Sequence, residues 1–549
     1  MKRFAARYSL LCVLTVALFS VSVYAQTKQT FLVPMRDGVK LATDVFLPTL
    51  NAPSPVILIR TPYNKDITAG AGTNAAKAGY ATVIQDTRGR FASEGENLPF
   101  DADSWGAHAD GYDTVEWVGK QSWCNGKIGT FGGSAVGITQ LLLAGSGTRN
   151  VTCQHITVAD PSLYHGIYPG GVFKKALIED WLRVSKFSSN ALPLWTSHQA
   201  YDTYWRDRDL TGRFAKVNWP AVHIGGWFDI FAQGTIDAFV GYQSKGGLKA
   251  RGRQKLIMGP WTHGVLQEKA GELKFPDAKR PPNNVHDFMR WFDACLKGVD
   301  NGIVNEPPVT YYVMGDVNDP NAPGNVWRTA DRWPPVPTKP TRFFFHSDHS
   351  LSSTASPNDA SPITYTYNPK DPVPTVGGPQ LTLPAGPMDQ RRIEARPDLL
   401  IFTSEPLTES LEVTGNVRVK LWASSDAPDT DFFAKLCDVY PDGRSFNICE
   451  GILRARFRQS FRREKLLKPD KLYPFEIDLW STSIVFNKGH RLRVHITSSC
   501  APGYDPNPNT GERFRASDNA QVAHNTVYLD CKHASYVLLP VALDRKGDL

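Results

Sequence analysis

Short unbroken apolar runs mark the first half of the chain: Pro55 to Arg60 (PVILIR), Tyr80 to Gln85 (YATVIQ) and Lys127 to Phe131 (KIGTF). Runs of this length without polar alternation are the form taken by strands buried on both faces. His155 to Ala159, Ala221 to Gly225 and Lys255 to Met258 continue the series, and Ala75 to Ala78, Asp113 to Lys120 and Ala135 to Ala144 read as helix between them. Such alternation predicts an α/β fold with a parallel sheet clad on both faces. Ahead of it, Phe31 to Pro48 reads as a hairpin turning at Asp37-Gly38.

Two changes of pattern divide the rest. From Pro161 to Asn218 there is no buried-strand run, and Trp181, Trp195, Tyr201, Tyr204 and Trp205 fall among helical and polar stretches, which predicts a helical, aromatic cap inserted at 161–217. Beyond a segment dense in Pro, Asn, Asp and Gly at Asn301 to Pro340, the period becomes two. Val417, Val419 and Leu421 alternate with Arg418 and Lys420, and Leu492, Val494 and Ile496 alternate with Arg493 and His495. Half-buried antiparallel strand of this kind predicts an all-β sandwich over 341–549. The expected organisation is a sheet domain in two parts, 26–160 and 218–325, a cap at 161–217, a linker at 326–340, and the sandwich.

The first 25 residues stand apart. Lys2, Arg3 and Arg7 precede an uncharged apolar run from Tyr8 to Val23, and Val23-Tyr24-Ala25 offers small residues at the positions a signal peptidase reads. The run is short of the roughly 20 residues that span a bilayer, so a cleaved leader and a secreted or periplasmic protein are expected, with no membrane association after cleavage. Loss of three basic residues takes the formal charge from +7 to +4, too weak and dispersed for nucleic acid. Oligomeric state, a homo-oligomer included, is left open. Seven cysteines remain, an odd number, and Cys437 and Cys449 flank the turn at Pro441-Asp442-Gly443, which makes them a candidate disulfide; small buried apolar residues are the alternative.

Candidate chemistry centres on Phe131-Gly132-Gly133-Ser134-Ala135-Val136-Gly137, between a buried strand and a helix. A nucleophile on a sharp strand-to-helix turn needs small neighbours, and the helix start aims N–H groups at a developing oxyanion. A serine needs a base oriented by a carboxylate. Asp229 and His263 each follow a predicted core strand, 95 residues after Ser134 and a further 34 on, in the order Ser, Asp, His. The Ala135 N–H and Tyr63, at the end of the first strand, are candidate oxyanion donors, although a Tyr after Pro in a loop taken alone reads as structural. His155 and His223 lie inside strands and are expected to pack there. Asp426, Asp429 and Asp431 lack a calcium-loop spacing and read as turn and surface residues, and His346 and His349 read as solvated loop; no metal or cofactor is expected.

The segments RTPY (Arg60 to Tyr63), IQDTRGRFASEGE (Ile84 to Glu96), WCNGKIGTFGGSAVGITQ (Trp123 to Gln140), GGWFDIF (Gly225 to Phe231) and GPWTH (Gly259 to His263) resemble the cocaine esterase and X-Pro dipeptidyl-peptidase family of serine hydrolases. SSDAPDTDFFAKLCDVYPDG (Ser424 to Gly443), GHRLRVHITSS (Gly489 to Ser499) and DPNPNTG (Asp505 to Gly511) resemble its C-terminal domain. The resemblance implies an α/β-hydrolase with a helical cap and a C-terminal jelly roll, Ser134 as nucleophile, His263 as base, Asp229 as orienting acid, and Tyr63 with Ala135 as oxyanion hole. Related α-amino-acid ester hydrolases carry carboxylates two and three places after the aspartate to hold a substrate ammonium; here those places are Phe231 and Ala232. An acyl esterase for neutral, apolar groups is therefore expected, with Tyr168, Trp227, Phe228, Phe231 and Trp261 as candidate pocket residues. The alternatives are a dipeptidyl-peptidase, a β-lactam acylase, or a ligand-binding protein on an inactive hydrolase fold. Glu179 and Asp180 are the cap carboxylates that could still meet an amine.

Overall fold

The structure, a computed structural model, describes residues 27–48, 52–513 and 519–543. The expected leader lies outside the described residues.

The apolar runs form the middle of a ten-stranded sheet. Strands β3 (Ser54–Thr61), β4 (Ala81–Asp86), β5 (Cys124–Gly133), β6 (Val151–Thr157), β7 (Ala221–Gly226) and β8 (Lys255–Gly259) pair in parallel in the order β4-β3-β5-β6-β7-β8. The hairpin β1 (Thr27–Pro34) and β2 (Lys40–Leu47) adds antiparallel strands beside β4. At the other edge β9 (Val309–Val313) and β10 (Val326–Ala330) extend the sheet, so the segment expected as a linker at 326–340 begins as a paired edge strand. Helices α1 (Ala69–Lys77), α2 (Asp110–Gly119), α3 (Ala135–Gly145) and α8 (Ala232–Lys245) cover the sheet. All parallel strands point one way, so the loops carrying Tyr63, Ser134, Asp229 and His263 open at one edge.

The cap holds four short helices: α4 (Leu163–Ile167), α5 (Lys175–Val184), α6 (Ala191–Ser197) and α7 (Thr203–Arg206). Its aromatics pack on one another, with Trp181 stacked on Trp195 at 6.2 Å and Trp195 tilted against Trp205 at 6.5 Å. The C-terminal region consists of a seven-stranded and a four-stranded antiparallel sheet, and Val417, Val419, Leu421, Leu492, Val494 and Ile496 are buried as the alternation predicts. Strands Asp431–Val439 and Ser445–Arg454 are instead buried at every position, because their outer face is covered by the cap around Phe433 and Ile452 and by the segment from Val376 to Gln390 around Lys435 and Asn447. At Gly170 an added Cβ would stand 1.7 Å from the Ile452 carbonyl oxygen, so only glycine allows that approach, with φ +59°.

Two expectations fail here for stateable reasons. Cys437 and Cys449 are free, as are the other described cysteines: Cys449 faces Leu436 and Cys437 faces Asn447 across the pair, and neighbouring strand positions point to opposite faces. Asp429 and Asp431 are not surface residues; both are buried in ion pairs with Arg456 and Arg454 at 2.9 Å.

Candidate active site

Ser134 links β5 directly to α3 and adopts φ 56°, ψ −128°, a region costly for a residue with a side chain. Its neighbours make the turn possible. A Cβ at Gly132 would lie 2.2 Å from Val136, and one at Gly137 would lie 2.8 Å from the Ala159 Cβ. The Ser134 N–H is spent on the Thr157 carbonyl at 2.9 Å, whereas the Ala135 N–H begins a helix and has no carbonyl one turn back to bond. The Ala135 N–H is therefore a free donor beside the serine.

The loops after β7 and β8 bring the other two groups to the serine. His263 places Nε2 2.8 Å from Ser134 Oγ and Nδ1 2.6 Å from Asp229 Oδ1. Asp229 is wholly buried, and its second oxygen accepts the Phe231 N–H at 3.0 Å. The carboxylate is thus held from both sides, and the imidazole is oriented with one nitrogen toward the serine. His155 and His223, by contrast, are packed inside strands, where burial pushes them down to about 4 and about 3.

Tyr63, in the loop after β3, is half-buried, and its oxygen accepts the Trp181 indole N–H from the cap at 2.8 Å. Burial pushes the phenol up, with hydrogen bonds to Trp181 and Ser134 working against it. A phenol whose acceptor side is taken is left with its O–H to give. The Arg90 guanidinium holds the loop by donating to the Pro62 carbonyl at 2.8 Å and to the Ser185 carbonyl at 2.5 Å.

A cavity of about 490 Å³, open mouth included, adjoins Ser134 and Ala135. Ile138, Leu163, Leu177, Trp195, Ile230 and Phe231 supply much of its apolar wall. Of the five candidate pocket residues only Phe231 lines it. Trp227 donates to the Tyr312 carbonyl at 2.8 Å and packs on Trp333, Phe228 packs on Phe275, and Trp261 donates to the Ala278 carbonyl at 3.1 Å. For Trp261 the neighbouring glycine explains this: a Cβ at Gly259 would lie 2.3 Å from the Trp261 ring, which folds back over the strand end instead of into the cavity. Tyr168 is buried behind Trp195 and donates to its carbonyl at 3.2 Å. Glu179 and Asp180 do not line the cavity either, and Asp180 is paired with Arg183 at 2.8 Å.

The carboxyl group that does line it is Asp160, after β6. One oxygen accepts the Ser162 N–H at 2.8 Å, and burial pushes the group up to about 8. Nothing in its sequence neighbourhood sets it apart from a turn aspartate, so pattern reading passes over it. Among the described residues no cluster of metal-ligating side chains occurs.

Two family models match the chain. One, described as X-Pro dipeptidyl-peptidase (S15 family), covers residues 37–192 and 183–265, and the other, the X-Pro dipeptidyl-peptidase C-terminal non-catalytic domain, covers 301–538. Cocaine esterase of Rhodococcus sp. is 34% identical, across 93% of this chain and 97% of its own. The chain belongs to the cocaine esterase and X-Pro dipeptidyl-peptidase family of serine hydrolases. Solved structures agree in fold: an α-amino acid ester hydrolase matches with a TM-score of 0.77 at 25% identity over 97% of this chain and 100% of its own. An aminopeptidase from a marine sediment Thaumarchaeota archaeon matches with a TM-score of 0.79 at 24% identity over 97% and 99%. The family's α/β-hydrolase and jelly-roll architecture is that of the two sheet systems described above.

Proposed function

We propose that the protein is an exported acyl esterase that cleaves carboxylic esters of neutral, apolar acids through a serine acyl-enzyme. The observation that carries the reading is the chain of contacts Ser134 to His263 to Asp229 at the mouth of an apolar cavity. His263 takes the Ser134 proton as Oγ attacks the ester carbonyl, and Asp229 orients and stabilises the imidazolium. The tetrahedral oxyanion is met by the Ala135 N–H and the Tyr63 hydroxyl. His263 then gives its proton to the leaving alcohol, and water repeats the sequence on the acyl-enzyme. No step calls for a metal or cofactor. A panel of p-nitrophenyl esters set against Gly-Pro and Ala-Pro p-nitroanilides, with a fluorophosphonate label mapped to Ser134, tests the reaction class. Export is tested by the N-terminus of the secreted protein, expected at Gln26.

If Tyr63 donates to the oxyanion, Tyr63→Phe should lower kcat by roughly 10²-fold or more, with little change in KM. An unchanged kcat with a raised KM would make it a binding residue. Trp181→Phe, which removes the donor that orients the phenol, should show a smaller loss of the same kind.

The acyl preference follows from Asp160. A carboxyl pushed up to about 8 is uncharged at pH 7, and no other carboxylate lines the cavity. A substrate ammonium would be desolvated there without an anion, at a cost of several kcal/mol. Phenylacetyl, benzoyl and short aliphatic esters should therefore exceed the matching α-amino esters in kcat/KM at pH 7, and Asp160→Asn should leave that ranking in place. A better rate on Ala-Pro-p-nitroanilide, abolished by Asp160→Asn, would favour the dipeptidyl-peptidase reading.

A further inference from the structure

Lys174 ends the cap segment just before α5 and is only 3% exposed. Its ammonium donates to the Ile230 carbonyl at 3.2 Å and stands 5.1 Å from the centre of the Trp480 ring. Cap, hydrolase loop and sandwich thus meet at one buried cation. Burial pushes it down to about 8, against the attraction of Asp229, Asp160 and Glu450, so it is charged at neutral pH. A buried ammonium is a poor way to glue three surfaces together, since an apolar side chain of equal length would avoid the desolvation cost. Its position suggests another use: the carbonyl it holds belongs to the residue between Asp229, which orients the base, and Phe231, whose ring lies 5.9 Å from that of His263.

Resting on the assignment of Ser134, His263 and Asp229 as the reacting groups, we infer that Lys174 is a positioning residue. Through the Ile230 carbonyl it fixes the Asp229 to Phe231 loop, and it sets a positive charge facing the carboxylate that orients the base. The titratable groups facing it are Asp229 from the loop after β7, Asp160 from the loop after β6, and Glu450 from the sandwich, itself 3.6 Å from Lys435. Burial pushes Asp160 up and Lys174 down, each to about 8, and pushes Glu450 up.

Lys174→Met removes both the bond and the charge, Lys174→Gln keeps an N–H donor without the charge, and Lys174→Arg keeps the charge. With a p-nitrophenyl ester, the acid limb of kcat/KM should move to higher pH by about half a unit or more in the Met and Gln variants, because loss of a nearby cation favours the protonated imidazole, and should stay in place with Arg. The Met variant should also lose about tenfold in kcat with KM little changed, and the Gln variant less. An unmoved acid limb in a folded neutral variant overturns the inference, and so does failure of both neutral variants to fold, which would make Lys174 a structural tie. Turnover retained by Ser134→Ala would instead overturn the assignment of the reacting groups, so the two failures are distinguishable.

Discussion

Ser134→Ala should reduce ester turnover by about 10⁶-fold, the loss seen when a serine hydrolase is deprived of its nucleophile, while leaving the fold as stable as before. The two halves of this expectation have separate grounds. Attack requires the oxygen 2.8 Å from His263 Nε2, and among the described residues no other serine, threonine or cysteine has a hydrogen bond to that ring. Stability should not change because alanine keeps the Cβ, and with it the strained φ of 56°; the deleted hydroxyl has its partner only in the site itself. Ser134→Gly makes the contrast. It should be equally inactive but more stable by about 1 kcal/mol, since glycine takes positive φ without penalty. Thermal melts of the three proteins beside p-nitrophenyl ester rates check both halves, and activity in Ser134→Ala beyond a trace would move the nucleophile elsewhere.

What the apolar pattern could and could not show has physical causes. Strands β3 to β8 were legible because parallel strands buried on both faces have to be apolar without interruption. The edge strands β9 and β10 were hidden inside a stretch rich in Pro, Asn and Gly, since the loops around them dominate the composition. Helix α8 was masked by Gly234 and Gly241, weak helix formers kept for close approach: a Cβ at Gly241 would stand 2.2 Å from the Phe214 ring, and one at Gly234 2.4 Å from the Asp160 carboxyl. Ser134, Asp229 and His263 could be picked out because each follows a strand that the pattern marks. Most of the cavity wall could not, because apart from Ile138 of α3 and Ile230 and Phe231 of the loop after β7 it is assembled mainly from the loop after β6 and the cap, where Leu163, Leu177 and Trp195 look like any other cap core residue. Of the aromatics that stood out, Trp261 folds over Gly226 and Gly259 into the core, and Trp227 and Phe228 pack there on Trp333 and Phe275. Asp160 and Lys174 escaped notice for a different reason, since a charged residue in sequence reads as surface and burial is a property of the assembled domains.

Asp229→Asn should lower kcat by about 10⁴-fold, less than Ser134→Ala, and the structure gives the reason in terms of one amide. The Phe231 N–H points at Asp229 Oδ2 from 3.0 Å. In the asparagine variant that N–H still needs an acceptor, so the side-chain oxygen must occupy the Oδ2 position and the NH₂ must turn to His263. An NH₂ group facing Nδ1 at the place now held by Oδ1 can only donate, which leaves the imidazole proton on Nε2, pointing at Ser134. The base is then present, correctly placed, and in the wrong tautomer. Labelling of Ser134 by a fluorophosphonate should slow in parallel with kcat, whereas KM should change little because the acyl cavity does not include Asp229. A loss under tenfold would mean that the imidazole keeps its tautomer without Asp229, and the role of orienting acid would have to pass to another carboxyl.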